Sequence, residues 1–443
     1  MKPPHPAGRF LATREWRRRL VFWGGAVATG AVAVAFALGS DFATSLFRQA
    51  CSAWQWWPFL ATPLGLALCV WITRTWFAGS EGSGIPQTIA ALNLPSETER
   101  DRLLSPRIAV GKIMVTLLAL ASGASIGREG PTVQVGASIM HSLRRYARFP
   151  VVDVDRGLIL AGGAAGVAAA FNTPLAGVVF AIEELSRSFE ERTSGVILMA
   201  VIIAGVTSMA LVGDYTYFGS TSAALSFPGM WLVVPLCGIG GGLFGGIFSR
   251  MMLTARRQLP GPLRRIAASR PVLFAGFCGM LLAAIGWVGD GTTFGTGYLE
   301  ARDLLQEGHY PAPAFALLKG LATIVSYATG IPGGIFAPSL SVGAGIGGQF
   351  HAWVPIAPLG TFVVLAMAAY FAGVVQAPLT ALVIVVEMTN DRSLTLPLMA
   401  AALLGRGASA LVCREPLYRS LAERFLPHGD RGTVPASKPL PDT

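Results

Sequence analysis

Three short segments combine glycine and proline in otherwise apolar surroundings: Gly82-Ser83-Gly84-Ile85-Pro86, Gly127-Arg128-Glu129-Gly130-Pro131 and Gly333-Gly334-Ile335-Phe336-Ala337-Pro338. Proline lacks an N–H donor and suits a first helical turn, while glycine lets backbone come close to a ligand, so each segment reads as the start of a helix. A helix that starts inside a membrane presents unpaired N–H groups and roughly half a positive charge to whatever lies ahead of it. The three segments are therefore candidate parts of an anion cradle. Glu129 stands out within them, because an ionised carboxylate at mid-membrane costs ~2.5 to 3.5 kcal/mol on insertion scales and such residues carry function by default. A carboxylate at a helix start can occupy the anion's own place and leave it on protonation, so that anion and proton compete for one gate. The simpler alternative is a carboxylate that only complements the helix dipole.

Those segments need a membrane around them, and the composition supplies one. Of 443 residues, 53% are hydrophobic and 13% charged, against roughly a quarter charged in soluble domains. The runs Leu20 to Gly39, Phe59 to Phe77, Gly195 to Val212, Trp231 to Phe248, Val272 to Val288 and Leu394 to Val412 are near or above the ~18 apolar residues that cross a bilayer. The first continues into more membrane sequence and is expected to be a retained span rather than a signal peptide. The net charge of +10 does not indicate nucleic acid, because the basic residues lie in loops and ends. Arg14 and Arg17 to Arg19, the loop from Arg250 to Arg270, and Arg414, Arg419 and Arg424 mark cytoplasmic regions, whereas Asp290, Glu300, Asp303 and Glu307 mark a loop on the opposite face. The expected organisation is a basic cytoplasmic segment 1–19, a membrane transport domain 20–425 and a short polar cytoplasmic tail 426–443. Cys51, Cys69, Cys237, Cys278 and Cys413 have neither metal nor redox spacing and read as small core residues.

The chain also repeats itself. Residues 111–139 align with 318–346 at an offset of 207 residues, bringing Lys112 onto Lys319 and Pro131 onto Pro338. Asn172-Thr-Pro through Glu183 aligns with Gln376-Ala-Pro through Glu387 at an offset of 204, so one three-residue indel reconciles the pairs. Two pairs in the same order indicate duplication, with repeats of about 20–213 and 229–425. Duplicated membrane bundles with corresponding helices broken by glycine or proline point to a transporter whose site lies where the broken helices meet.

These motifs, with Asn172-Thr-Pro-Leu-Ala-Gly and Glu387-Met-Thr, closely resemble the CLC family of chloride channels and chloride/proton antiporters from about Phe77 to Leu421. The resemblance implies an all-α polytopic membrane protein of two inverted-topology repeats of tilted and re-entrant helices, assembled as a homodimer with one anion pathway per subunit. It also implies residue roles. Ser83 looks like the hydroxyl that contacts the central anion and Tyr418 like its phenolic partner, with the backbone N–H groups of Ile335 and Phe336 completing the site and Glu129 as the external gate. A helix N-cap for Ser83 and an interfacial aromatic for Tyr418 remain open. Glu184 matches the position where family antiporters keep an internal, proton-relaying glutamate and many channels an apolar residue. Its neighbour Glu183, matching Glu387 across the repeat, reads as a structural helix-end carboxylate. Ser83, rather than Pro or Asn, resembles the chloride type more than the nitrate or fluoride branches.

Other patterns fit poorly. Gly123-Ala-Ser125-Ile-Gly127 matches a nucleophile elbow but follows an apolar helix instead of a strand. Gly240 to Gly245 and Gly343 to Gly348 match G-x-G-x-x-G without βαβ context and read as close helix packing. His141, His309 and His351 lack metal-ligand spacing, and no P-loop is present. The expectation is an electrogenic antiporter of chloride and other small monovalent anions against protons, not an enzyme, with chloride as bound substrate and no metal or cofactor. It would be multi-pass in a plasma membrane, as in a bacterial inner membrane, with both termini cytoplasmic. The alternatives are a passive chloride channel of the same fold and an intramembrane hydrolase using Ser125.

Overall fold

The computed structural model describes residues 13–147, 152–186, 191–213, 216–219, 230–255, 257–308, 312–391 and 393–426. Residues 1–12 of the basic N-terminal segment, Arg256, His309 and the tail from 427 lie outside the described residues. The first half comprises α1 (Thr13–Ala53), α2 (Trp57–Trp76), α3 (Ile85–Asn93), α4 (Glu97–Leu103), α5 (Pro106–Ala121), α6 (Glu129–Ser142), α7 (Arg144–Ala147), α8 (Val152–Phe171), α9 (Pro174–Phe180) and α10 (Glu191–Val212). The second comprises α11 (Met230–Thr254), α12 (Gly261–Ser269), α13 (Pro271–Val288), α14 (Tyr298–Gln306), α15 (Phe315–Thr329), α16 (Phe336–Trp353), α17 (Leu359–Val375), α18 (Pro378–Thr389), α19 (Thr395–Val412) and α20 (Leu417–Ala422). Among the described residues no β-strand forms, and the repeat seen in sequence pairs α5 with α15, α6 with α16, α8 with α17, α9 with α18 and α10 with α19.

Among the described residues, seven stretches are long and apolar enough to cross a membrane. Six correspond to the expected runs. The seventh, Glu97–Ala121, joins α4 and α5; its charged start and Lys112 had hidden it. Other helices stop midway: α3, with 9 residues, covers only about 14 Å at 1.5 Å per residue, under half of the ~30 Å hydrocarbon thickness. The Asn-Thr-Pro and Gln-Ala-Pro breaks occur where expected. Asn172 at φ 57° and Gln376 at φ 58° are both left-handed, terminating α8 and α17, and Pro174 and Pro378 open the next helices.

Small residues let the helices touch. A Cβ added to Gly136 of α6 would lie 2.3 Å from the Gly162 carbonyl of α8, and one on Gly242 of α11 would lie 2.3 Å from that of Gly405 in α19. One on Gly347 would lie 2.4 Å from Phe362 O, so both G-x-G-x-x-G segments serve close packing, as expected. Four of the five cysteines are buried and all are free thiols.

The two halves finish each other's helices. Glu183 accepts hydrogen bonds from Leu379 N (3.2 Å), Thr380 N (2.6 Å) and Thr380 Oγ1 (2.7 Å) at the start of α18. Glu387, at the end of α18, accepts from Leu175 N (3.2 Å) and Ala176 N (2.7 Å) at the start of α9. Contact of i with j mirrored by j with i is the mark of a two-fold relation, so the structural reading of Glu183 stands. The repeat-related lysines act alike. Buried Lys112 donates to Ser80 O (2.7 Å) and Gly82 O (2.8 Å), while buried Lys319 donates to Thr293 O (2.9 Å) and Gly295 O (2.8 Å). Each lysine clamps the loop before a short helix, α3 or α14, and so pairs Gly82-Ser83-Gly84 with Gly295-Thr296-Gly297.

The faces sort by charge. Arg17 near the start of α1 donates to Tyr146 O, and Arg48, near its other end, pairs with Glu300 of the acidic loop. The intervening 31 residues cover roughly 46 Å at 1.5 Å per residue, so the basic start and the acidic loop lie at opposite ends of a helix longer than the ~30 Å hydrocarbon thickness. Arg424 donates to Leu253 O (3.4 Å), putting the end of the described chain beside the loop after α11. On the face reached by Arg17, His141 bonds Asp155 (2.9 Å) and Asp101 (3.0 Å), within an ion cluster that includes Arg100, Arg144 and Arg145.

Removing a reciprocal cap is expected to cost stability and not coupling. Glu183→Ala should lower the melting temperature in detergent by a loss of about 1 to 3 kcal/mol, the range for a charged hydrogen-bonding group at a helix start, with transport stoichiometry intact. An unchanged melting temperature would dissociate Glu183 from the fold.

Candidate functional site

The three Gly-rich helix starts meet. Gly82 N–H donates to Ile331 O (3.1 Å) and Gly333 N–H to Gly82 O (3.0 Å), while Gly127 and Gly334 exchange N–H···O bonds of 2.7 Å each way. This pairing brings the N-termini of α3, α6 and α16 to one point. Gly84 makes it possible: its φ is +100°, and a Cβ there would lie 2.8 Å from Gly130 O.

Ser83 and Tyr418 are both wholly buried. Their hydroxyls are polar neighbours, yet neither makes a hydrogen bond of ordinary length within the protein. A buried hydroxyl left so costs about 1 to 3 kcal/mol, unless a ligand or water takes it. The N-cap of α3 is Gly84 and not Ser83; a Cβ on Gly130 would fall 2.3 Å from Ser83 Oγ, so the hydroxyl lies against the start of α6. The N-cap alternative therefore fails for Ser83, and full burial removes the interfacial one for Tyr418. Ile335 caps α16 and Phe336 opens it, so their N–H groups belong to the first turn, which has no intrahelical acceptor. The Phe336 ring stacks on Tyr418 (centroids 6.1 Å apart, planes at 16°) and packs on Phe371 (4.6 Å), forming an apolar wall beside the polar groups.

Glu129, at 1% exposure, begins α6. Its Oε1 accepts from the Tyr217 hydroxyl at 3.4 Å. Its carboxylate also faces the backbone N–H of Ala337, and a Cβ on Gly127 would lie 2.3 Å from Oε2. The carboxylate therefore sits across the N-terminus of α16, beyond a role confined to its own helix. Glu184, at 4% exposure, lies in a π-helical turn, Ala181–Ser186, that continues α9; single π turns frequently mark functional sites. Tyr418 is the shared electrostatic neighbour of Ser83, Glu184 and Glu129.

All six residues singled out from sequence thus come together: Ser83, Glu129, Glu184, Ile335, Phe336 and Tyr418. Two buried carboxylates accompany a set of hydroxyl and amide donors that an anion would satisfy. A cavity of about 250 Å³, lined by Glu81, Gly82, Gln87, Tyr327 and Arg424 among others, opens beside the Gly82 loop. Ser125 hydrogen-bonds to Thr323 Oγ1 (3.1 Å) and its N–H to Ser326; with hydroxyls for partners it has no general base, which removes the hydrolase reading. Among the described residues no group of three or more His, Cys, Asp or Glu could hold a metal ion. Sequence reasoning missed Tyr217, which belongs to no motif.

A model of the family described as Voltage gated chloride channel matches residues 65–410. The H(+)/Cl(-) exchange transporter ClcA of Vibrio vulnificus (strain YJ016) is 31% identical over 368 residues, covering 78% of this chain and 74% of that one. Its counterpart in Yersinia pseudotuberculosis serotype IB (strain PB1/+) is 30% identical over 443 residues, covering 93% and 89%. Among solved structures, a slow cyanobacterial Cl-/H+ antiporter matches with a TM-score of 0.77 at 24% identity, covering 97% of this chain and 100% of the other. A CLC-type fluoride/proton antiporter matches with 0.75 at 22%, covering 90% and 97%. These structural likenesses establish the fold: two repeats of tilted, partly re-entrant helices.

If the two hydroxyls face the ligand, each should matter to its binding. Ser83→Ala and Tyr418→Phe should each weaken halide binding, followed by calorimetry on purified protein, by roughly tenfold, the effect of losing one hydrogen bond to a charged partner. Full affinity in both variants would place the anion elsewhere.

Proposed function

The chain belongs to the voltage gated chloride channel family, and we propose that it is an electrogenic antiporter exchanging chloride, and other small monovalent anions, for protons. The observation that carries this reading is the pair of buried carboxylates, Glu129 and Glu184, which share Tyr418 as an electrostatic neighbour. A passive pathway needs donors for the anion and no second buried acid. The names of the relatives, H(+)/Cl(-) exchange transporters, favour exchange over a channel.

In the proposed cycle chloride rests on the Ser83 and Tyr418 hydroxyls and the N–H groups of Ile335 and Phe336. Ionised Glu129 and an anion compete for the positive end of α16. A proton that reaches Glu129 removes its attraction to that helix start and lets the carboxyl leave, opening the way for the anion. Glu184, an electrostatic neighbour of Tyr418, passes protons to and from the interior side. Chloride moving one way and a proton the other add their charges, so a membrane potential drives the exchange at ~2.3 kcal/mol per charge per 100 mV. Ion gradients supply the driving force, and the proposed cycle calls for no metal or cofactor.

The proposed setting is a plasma membrane, the inner one in a bacterium, with both termini in the cytoplasm as the basic regions favour. The proposed assembly is a homodimer with an independent pathway in each subunit, as the CLC resemblance implies.

The test is flux from chloride-loaded liposomes with external pH and chloride followed together. Wild-type protein should move protons uphill as chloride leaves. Glu129→Ala should release chloride without protons, and Glu184→Val should abolish proton movement while chloride still passes. Proton pumping that survives both substitutions would overturn the assignment.

A further inference from the structure

Tyr217 takes part in none of the steps above, yet it gives Glu129 its only side-chain hydrogen bond among the described residues. It lies in the stretch 216–219 between α10 and α11, at 2% exposure. That stretch is pinned at both sides of the main chain: Phe218 N–H donates to Met388 O (3.0 Å), and Gln306 Nε2 donates to Phe218 O (3.0 Å). The Tyr217 ring is packed edge-on by Tyr298 (4.3 Å), Phe218 (5.3 Å) and Phe171 (5.9 Å). The Arg128 guanidinium lies over it, 5.8 Å from the centroid, a cation–π contact strengthened by burial. The same guanidinium donates to Ala37 O and Asp41 Oδ1, both at 2.6 Å, and the Asp41 side chain is 61% exposed.

We propose that Tyr217 is a latch for the gate: its hydroxyl holds the Glu129 carboxylate across the start of α16, and the Arg128–Asp41 pair sets the stance of its ring. This rests on the reading of Glu129 as the gate. Tyr217 is a positioning residue, acting through Glu129. Its ring is wedged among three others and cannot follow the carboxylate outward, so each opening must break the O–H···O bond. A hydrogen bond donated to a carboxylate favours its ionised form. The latch therefore holds hardest when the gate is charged and slackens when a proton arrives. The charged and titratable groups that face this assembly are Arg128, Asp41, Tyr298, Arg302 and Tyr418.

The experiment is a double-mutant cycle in liposomes with Tyr217→Phe, which keeps the ring and removes the hydroxyl. Alone, the substitution should raise chloride turnover at neutral pH about three- to tenfold, as expected for one long hydrogen bond to a carboxylate. The pH of half-maximal turnover should move up by roughly half a unit, with coupling retained. In a Glu129→Ala background it should change nothing. An unaltered rate and pH profile in Tyr217→Phe, while Glu129→Ala still uncouples, would overturn the latch alone. A Tyr217→Phe effect that persists undiminished without Glu129 would also overturn it, as a packing effect. Normal coupling in Glu129→Ala would overturn the gate reading and the latch with it.

Discussion

A peptide N–H stranded at mid-membrane has no lipid acceptor, and leaving it unsatisfied costs several kcal/mol. Helices that begin there, α3, α6, α9, α16 and α18, create many such groups. The structure answers in two ways. At the centre, the Gly82, Gly127 and Gly334 loops pair their backbones with one another. At the periphery, Glu183 and Glu387 bring carboxylates to the starts of α18 and α9. What this arrangement leaves over is the start of α16 with the Ser83 and Tyr418 hydroxyls. The proposed anion site is thus a remainder, the donors that the fold itself does not consume.

Charge in the interior follows the same logic. The Lys112 and Lys319 ammonium groups are buried, but each is wrapped by backbone carbonyls of its own half and braces a loop. Arg128 is committed to Asp41 and Ala37. Arg100 is paired with Asp155, so among the described residues no buried cation is left to bind chloride as an ion pair. Partial charges of helix starts and hydroxyl dipoles remain, and these hold an anion weakly enough to let it go, which transport requires and tight pairing would defeat.

Much of this was legible in the residues. Glycine and proline announce interrupted helices wherever they fall, so the three helix starts and both Asn-Thr-Pro-type breaks could be placed from sequence, and the offset between Glu183 and Glu387 exposed their shared duty. The α4–α5 span was hidden because Glu97 to Arg107 is charge-rich and Lys112 interrupts the apolar run. The role of the two lysines was hidden because a clamp on carbonyls 24 to 32 residues away depends on where the loop lies, which no local pattern encodes. Tyr217 was invisible for a similar reason: its hydroxyl meets Glu129 across 88 residues, from a segment with no periodicity. The π turn at Glu184 leaves no compositional trace either. The family resemblance, and not spacing, drew attention to that residue.

The reciprocal caps bear on how the chain is made. The amides of Leu175 and Ala176 wait for Glu387, 212 and 211 residues further on. At synthesis rates of about 5 to 20 residues per second, the opening turn of α9 is without its carboxylate for on the order of 10 to 40 s. During that interval those amides must take another acceptor such as water, so the ribosome's progress through the later half of the message sets when the earlier half can complete its own helices.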